Sequence, residues 1–242
     1  MRTNFALGMK KEWKEDHSPL TVTDTTINQM VIDAVKETYP EYGLITEEGG
    51  GNYSGQEYAW VCDPVDGTIS FSHGVPTCTF MLALIKNGES ILGVVYDPFA
   101  DHMYYAEKGE GAFLNGNKIK VSSNTTLEKS VVSLVMWREA KFQFTKLLPN
   151  LLDKGVIDFR IPSIGYLDML VANGEFVAAI HPGPHPWDSA APKIIVEEAG
   201  GKFTDLFGKN SDYSKEVDGH LASNGILHEE LLQIIKENLK NT

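Results

Sequence analysis

The 242-residue sequence predicts a mixed α/β fold in which sheets are layered with helices. Three observations carry this. Strand-like runs crowd the first half, whereas the second half mixes helical patches with short strands. The two types interleave without the strict βαβα rhythm of a doubly wound parallel sheet. Asn115-Gly116, between two strand-like runs, demands an antiparallel hairpin. The length suits one domain, 1–242, made of two closely packed lobes at about 1–125 and 126–242.

Taken in order, residues 23–40 place Ile27, Met30, Val31, Ala34 and Val35 at helical spacing, with Thr23 or Asp24 as cap and Pro40 past the end. The stretch YGLITEEGGG reads as a short strand stopped by glycines. Strands follow at Tyr58–Cys62, Phe80–Lys86, Ile91–Asp97 and His102–Ala106. SVVSLVM is strand-like, and FQFTKLLPNLLDK is a helical patch interrupted by Pro149. A helix ending at Gly174 precedes a strand; another opens at Asp188 and closes on Gly200-Gly201. KFTDL and GHLASNG are short strands, and LHEELLQIIKENLK is a closing amphipathic helix.

Composition narrows the function classes. Asp and Glu number 33 against 21 Lys and Arg, a formal charge of −12. That balance disfavours nucleic-acid and anionic-membrane partners, which call for a basic face. No stretch predicts a signal peptide or a transmembrane span. Cys62 and Cys78 form neither a disulfide framework nor a metal spacing, and Cys62 reads as a small buried hydrophobe. A cytoplasmic, reducing location is expected.

Four acidic positions fall at the ends of predicted elements: Asp24, Glu47-Glu48, Asp63 with Asp66, and Asp188. Asp24 and Asp188 also read as helix N-caps, and Glu47-Glu48 as a solvated turn. Asp63 and Asp66 resist so plain a reading. An apolar run leads into them, and Pro64 and Gly67 shape the turn. Clustered carboxylates are hard-oxygen ligands for Mg²⁺, Mn²⁺ or Ca²⁺. Gly67-Thr68 then open a helical turn whose free N–H groups suit a phosphate. The run lacks the alternating ligands of an EF-hand. It also has two residues between its aspartates, where aspartyl-phosphate phosphatases of the haloacid dehalogenase class have one.

TEEGG, WVCDPVDGTISF and WDSAAPKIIVEEAGG, in that order, resemble the inositol monophosphatase family. SPLTVTD resembles its upstream segment, and GVVYDPFADHMYYAEKGEGAFLNGNKIKVS its central hairpin region. The resemblance runs from about Ser18 to Leu232. It implies a layered α/β/α/β/α sandwich of the inositol monophosphatase/fructose-1,6-bisphosphatase type, usually a homodimer, with two or three Mg²⁺ per active site. Glu47, Asp63, the carbonyl of Val65, Asp66 and Asp188 fall on the family's metal positions. Glu48 and Thr68 would support the first metal, and Asp24 would pair with Thr68 to orient the attacking water. Gly67, Thr68, Ser163 and His181 would lie on the phosphate and substrate side.

This sequence departs from the family at three points. Ser70 stands where an asparagine is usual, and the N-terminal helix is short. His181 occupies the position, seven residues before Asp188, where inositol-specific members have a glutamate holding substrate hydroxyls. His181 and His185 have the spacing of zinc ligands on a helix, but Pro182, Pro184 and Pro186 forbid that helix. Lining of a substrate pocket is the functional reading of His181; a loop histidine is the plain one.

The expected activity is Mg²⁺-dependent hydrolysis of a small phosphate monoester, inositol 1-phosphate first. GGKFTDLFG and ASNGILHEELL also resemble the histidinol-phosphate phosphatase branch, and fructose-1,6-bisphosphate and 3′-phosphoadenosine 5′-phosphate stand behind. A catalytically idle, metal-binding interaction protein is the reading from another class. The intact set of Asp24, Thr68 and metal positions argues against it.

Overall fold

In the computed structural model, which describes residues 1–14, 17–138, 140–144 and 146–241, the chain opens with a short antiparallel ribbon, β1 (Glu12–Trp13) on β2 (Pro19–Leu20). Helix α1 (Val22–Thr38) follows. Its cap is Thr21, upstream of the predicted Thr23 or Asp24. Thr21 caps the first turn, while Asp24 accepts the Thr21 backbone N–H at 2.9 Å. This is a capping box with aspartate in the glutamate place. Of the residues expected on the apolar face, Val35 is buried, but Met30 and Ala34 point outward and Ile32 is buried in their place. Where α1 lies decides this: Ile32 and Val35 pack on Leu44 with Trp60 beside them.

The first sheet has seven strands in sequence order: β3 (Gly43–Thr46), β4 (Tyr58–Asp66), β5 (Thr79–Lys86), β6 (Glu89–Asp97), β7 (His102–Glu107), β8 (Gly111–Leu114) and β9 (Asn117–Lys118). Only β3 and β4 are parallel. Asn115 and Gly116 both adopt positive φ and close the β8–β9 hairpin as expected. Strand β4 runs past its predicted end at Cys62 and carries both aspartates. The five-residue helix α2 (Thr68–Ser72) follows it.

The second sheet combines β10 (Val131–Leu134), β12 (Ile157–Asp158), β13 (Ala178–His181), β14 (Lys202–Thr204) and β15 (His220–Ser223) in the order β12-β10-β13-β15-β14. A separate ribbon pairs β11 (Phe142–Phe144) with β16 (Leu239–Asn241). Phe142–Phe144 therefore belong to a strand and not to the predicted helical patch. Helix α3 (Leu147–Asp153) starts after them and is not interrupted by Pro149. That proline lies in the first turn, where its missing N–H costs nothing.

Three more helices complete the chain: α4 (Ile164–Ala172), α5 (Ala190–Glu198) and α6 (His228–Asn238). Asp188 falls in a 3₁₀ turn, Pro186–Asp188, just ahead of α5, whose cap is Ser189. Alternation along the strands sorts side chains into layers. Ala59, Val61, Ala179 and Ala222 face the space between the sheets, where Leu167 of α4 and Ile194 and Ile195 of α5 fill the largest core. The opposite face of the second sheet, with Val132, Ile180 and Leu221, packs on Leu151 of α3 and Leu231 and Ile235 of α6. With α1 outside the first sheet, the order is helix, sheet, helices, sheet, helices.

Candidate active site

The end of β4 is built to turn two carboxylates inward. Asp63 pairs with Met81 of β5 and Asp66 with Thr79, so β4 spends one extra residue between them. Pro64, which cannot donate to a ladder, falls in this bulge. The Val65 N–H bonds back to Asp63 Oδ1 at 2.9 Å and tightens the turn. Gly67 then takes φ 84°, with Ser163 and the carbonyls of Pro162 and Thr77 within 3.0 Å of where a Cβ would lie. No other residue fits there.

Thr68, in the first turn of α2, reaches two acceptors. Its Oγ1 lies 3.1 Å from Asp24 Oδ1 and 2.8 Å from the Val65 carbonyl. Asp24 is wholly buried, and its other oxygen accepts both the backbone N–H and the hydroxyl of Thr21. Burial raises the Asp24 pKa, against the pull of these hydrogen bonds. A hydroxyl whose own hydrogen is committed to a carboxylate or carbonyl keeps its lone pairs for another donor. Thr68 is thus set to accept a hydrogen from water.

Asp66 is held differently. Oδ2 accepts from Ser163 Oγ at 2.6 Å, Thr79 Oγ1 at 2.8 Å and the Gly165 N–H at 3.0 Å, and Oδ1 accepts the Ile164 N–H at 2.8 Å. Its carboxylate therefore also completes the open N-terminus of α4. Burial pushes its pKa up to about 6, against those four bonds. Ser163 is fully buried and works through Asp66. Ser70 is enclosed too and accepts from the Thr77 hydroxyl at 3.0 Å.

Glu47 and Glu48 follow β3 and meet a residue that sequence reasoning missed. Lys14 Nζ lies 2.8 Å from Glu47 Oε1 and 2.5 Å from Glu48 Oε1. Burial opposes its charge, yet the two glutamates raise its pKa above the ordinary lysine value. Burial, then the charge of Glu47, push Glu48 up to about 7 in spite of Lys14. Nothing local marks Lys14 among its neighbours Lys10 and Lys11; only the β1–β2 ribbon brings it across.

Burial and then the charges of Glu47, Asp66 and Asp188 raise the Asp63 pKa far above normal. Asp188, partly exposed, is raised by enclosure and then by Glu47, Asp66 and Asp168, with Lys14 opposing. The positions separated in sequence thus act on one another electrostatically. Among the described residues, no three acidic, histidine or cysteine side chains close on a single point. Asp66 is drawn onto α4, and Glu47 and Glu48 onto Lys14.

His181, at the end of β13, is buried. A Cβ at Gly183 would lie 2.3 Å from its Cε1, 3.0 Å from its Nε2 and 3.2 Å from Asp188 Oδ2, so Gly183 lies between the ring and Asp188. Trp137 packs against the ring at 5.3 Å. His185 points elsewhere, stacked on Trp187 at 4.6 Å. The two histidines do not form a pair.

The arrangement places a water-polarising hydroxyl beside carboxylates that suppress one another's ionisation, which is the chemistry of a cation-assisted hydrolase. Comparison with known proteins agrees. The inositol monophosphatase family matches residues 1–240. The chain is 36% identical over 225 residues to a fructose-1,6-bisphosphatase/inositol-1-monophosphatase of Thermotoga maritima, covering 90% of this chain and 82% of that one. It is 34% identical to a histidinol-phosphatase of Chlorobaculum parvum, covering 92% and 85%. A solved IMPase of Thermotoga maritima superposes with a TM-score of 0.86 at 32% identity, covering 98% and 91%. An IMPase/NADP phosphatase complexed with Mg²⁺ and phosphate has a TM-score of 0.82 at 30% identity, covering 93% and 85%.

The fold and family define a phosphatase that hydrolyses phosphate monoesters. This chain belongs to the inositol monophosphatase family. It shares the layered α/β architecture of its structural neighbours. Among the described residues, no helix is long and apolar enough to cross a membrane.

Proposed function

We propose that this chain hydrolyses a small polyol phosphate monoester, inositol 1-phosphate first among them. In this reading Mg²⁺ is held by Glu47, Asp63, the Val65 carbonyl, Asp66 and Asp188. The observation that carries it is the Asp24–Thr68–Val65 hydrogen-bond set beside carboxylates that resist ionising together. All the proposed donors are oxygens, as a hard divalent cation requires. The Lys14 ammonium on Glu47 and Glu48 is a stand-in that shows the demand for positive charge there. The residues therefore fit the ion.

Bound there, Mg²⁺ would supply a water of lowered pKa and neutralise phosphoryl oxygens. The protein's own part can be followed atom by atom. Thr68 Oγ1 accepts one hydrogen of the attacking water, because its own is committed to Asp24 or Val65. Asp24, locked by Thr21, fixes the direction in which that oxygen points. Asp66 ties the end of β4 to α4, so the two aspartates keep their relative placement through turnover. Glu48 supports Glu47 and shares its charge with Lys14. The same reading takes the protein as one domain of two lobes and, by family resemblance, as a cytoplasmic homodimer.

The test is a phosphate-release panel over inositol 1-phosphate, histidinol phosphate, fructose-1,6-bisphosphate and 3′-phosphoadenosine 5′-phosphate. Activity should vanish with a chelator and return with Mg²⁺, and excess Ca²⁺ should inhibit because its looser coordination misplaces the water. Lithium inhibition is expected from the family resemblance. Undiminished hydrolysis in chelator would refute the metal assignment. Histidinol phosphate is the second reading, favoured by the relative of that name; a rate on it far above the other three would replace inositol 1-phosphate as substrate.

Lys14 offers a separate check. An incoming cation must displace its ammonium from two carboxylates, so Lys14→Met should tighten Mg²⁺ binding by about tenfold, roughly the worth of a partly buried charged pair. The ion-free variant should also melt lower, since Glu47 and Glu48 lose the one basic partner they have among the described residues. Calorimetric titration and thermal melts read the two effects. Unchanged affinity would mean that Lys14 and the ion use different oxygens.

A further inference from the structure

Behind His181 lies a second buried histidine that the mechanism above does not use. His181 and His220 are direct cross-strand partners in the antiparallel pair of β13 and β15. Their side chains therefore share one face of the sheet, and the ring centres are 5.2 Å apart. His220 stacks on Phe203 at 4.6 Å, and its Nε2 lies 3.0 Å from Oδ2 of Asp168, a fully buried carboxylate on α4. The Nδ1 atoms of both histidines are sealed from solvent with no hydrogen-bond partner, and the 3.0 Å contact of His220 Nε2 with Asp168 Oδ2 is not aligned as a hydrogen bond, whereas His181 Nε2 is not among the sealed atoms.

Buried ring nitrogens are rarely left unpaired. A carboxylate only accepts, so a small turn of the His220 ring toward Asp168, 3.0 Å away, gives it the Nε2 hydrogen and leaves Nδ1 of the neutral ring as an acceptor. The other unpaired Nδ1 on this sheet face is that of His181. The two atoms are not in direct hydrogen-bonding contact, so one enclosed water carrying the hydrogen from His181 satisfies both. His181 Nε2 is then bare, on the side of the ring where Gly183 lies between it and Asp188. Burial, the largest cause, keeps the ring uncharged, in line with this arrangement.

We propose that Asp168, acting through His220, positions His181 in the tautomer with a bare Nε2, making it a hydrogen-bond acceptor that selects phosphate esters whose leaving group carries a hydroxyl or ammonium donor. The inference rests on the reading of this site as the place of ester hydrolysis. Asp168 and His220 are positioning residues; His181 alone meets the substrate. A glutamate at position 181 would also accept but would bring a charge, whereas the imidazole accepts without one.

Two readouts test this on the full-length, Mg²⁺-loaded protein. Long-range ¹H–¹⁵N spectra of histidine-labelled protein report which ring nitrogen carries the hydrogen. The ratio of kcat/KM on inositol 1-phosphate to that on cyclohexyl phosphate, which lacks the hydroxyl donors, reports the selection. The wild type should show His181 protonated on Nδ1 and a ratio of about ten, the worth of one or two hydrogen bonds. Asp168→Asn is nearly isosteric, but its amide can donate as well as accept and no longer dictates the tautomer. It should shift the His181 signals and bring the ratio close to one.

The double variant Asp168→Leu with His220→Phe removes the pair without stranding a buried charge, and should do the same. A wild-type His181 protonated on Nε2, or an unchanged ratio in both variants, would overturn the proposal. If the wild type hydrolysed neither ester, inositol 1-phosphate would fail as the substrate, and the spectra would still decide the tautomer.

Discussion

Asp63→Asn should cut turnover by at least ~10³-fold and weaken Mg²⁺ binding with it, because a ligand worth several kcal/mol of charge stabilisation is lost. Asp63 is buried, and Glu47, Asp66 and Asp188 all press against its ionisation. Removing its charge relieves that repulsion, so the ion-free variant should melt higher than the wild type. The combination is diagnostic: a variant that merely misfolded would melt lower. Calorimetric titration with Mg²⁺, thermal melts in chelator and phosphate release on one sample set would suffice. Wild-type Mg²⁺ affinity in Asp63→Asn would remove Asp63 from the ligand set.

Thr68→Ala should lower kcat by roughly 10²-fold or more, the range of a lost proton-handling group, and leave KM much closer to wild type. Among the described residues, the hydroxyl is the one hydrogen-bonded link from Asp24 Oδ1 to the site. Asp24→Asn should therefore fall in the same direction, and the double variant should cost little more than either single one. Thr68→Ser keeps the oxygen and should recover most of the rate. If Thr68→Ala kept its kcat, the water would be oriented by something else.

Much of this was legible in local signals. Asn115-Gly116 marks its hairpin because few residues tolerate two successive positive φ angles. The strands from 79 to 107 follow apolar patterning and turn residues, helices α4 and α5 follow periodicity and glycine stops, and α6 follows periodicity. The acidic residues were readable as candidates because apolar runs end on them. Errors arose where two local signals competed. Thr21, Thr23 and Asp24 all suit a helix cap, and only the capping box chooses Thr21. Phe142–Phe144 had helical neighbours, and only the pairing with β16 makes them a strand.

The sequence by itself determined the layered α/β class, the family and the identity of the acidic positions, since these rest on short-range patterning and on motifs in fixed order. Tertiary structure alone decided what each group does there. Asp66 is bound to the start of a helix about a hundred residues downstream. Lys14 is carried onto Glu47 and Glu48 from a ribbon with no distinguishing composition. His181 faces His220 because β13 and β15 pair in one register, and a shift of one residue would turn them to opposite faces. Long-range register and helix placement minimise the energy of the whole core, and no window of sequence contains both partners of such a contact.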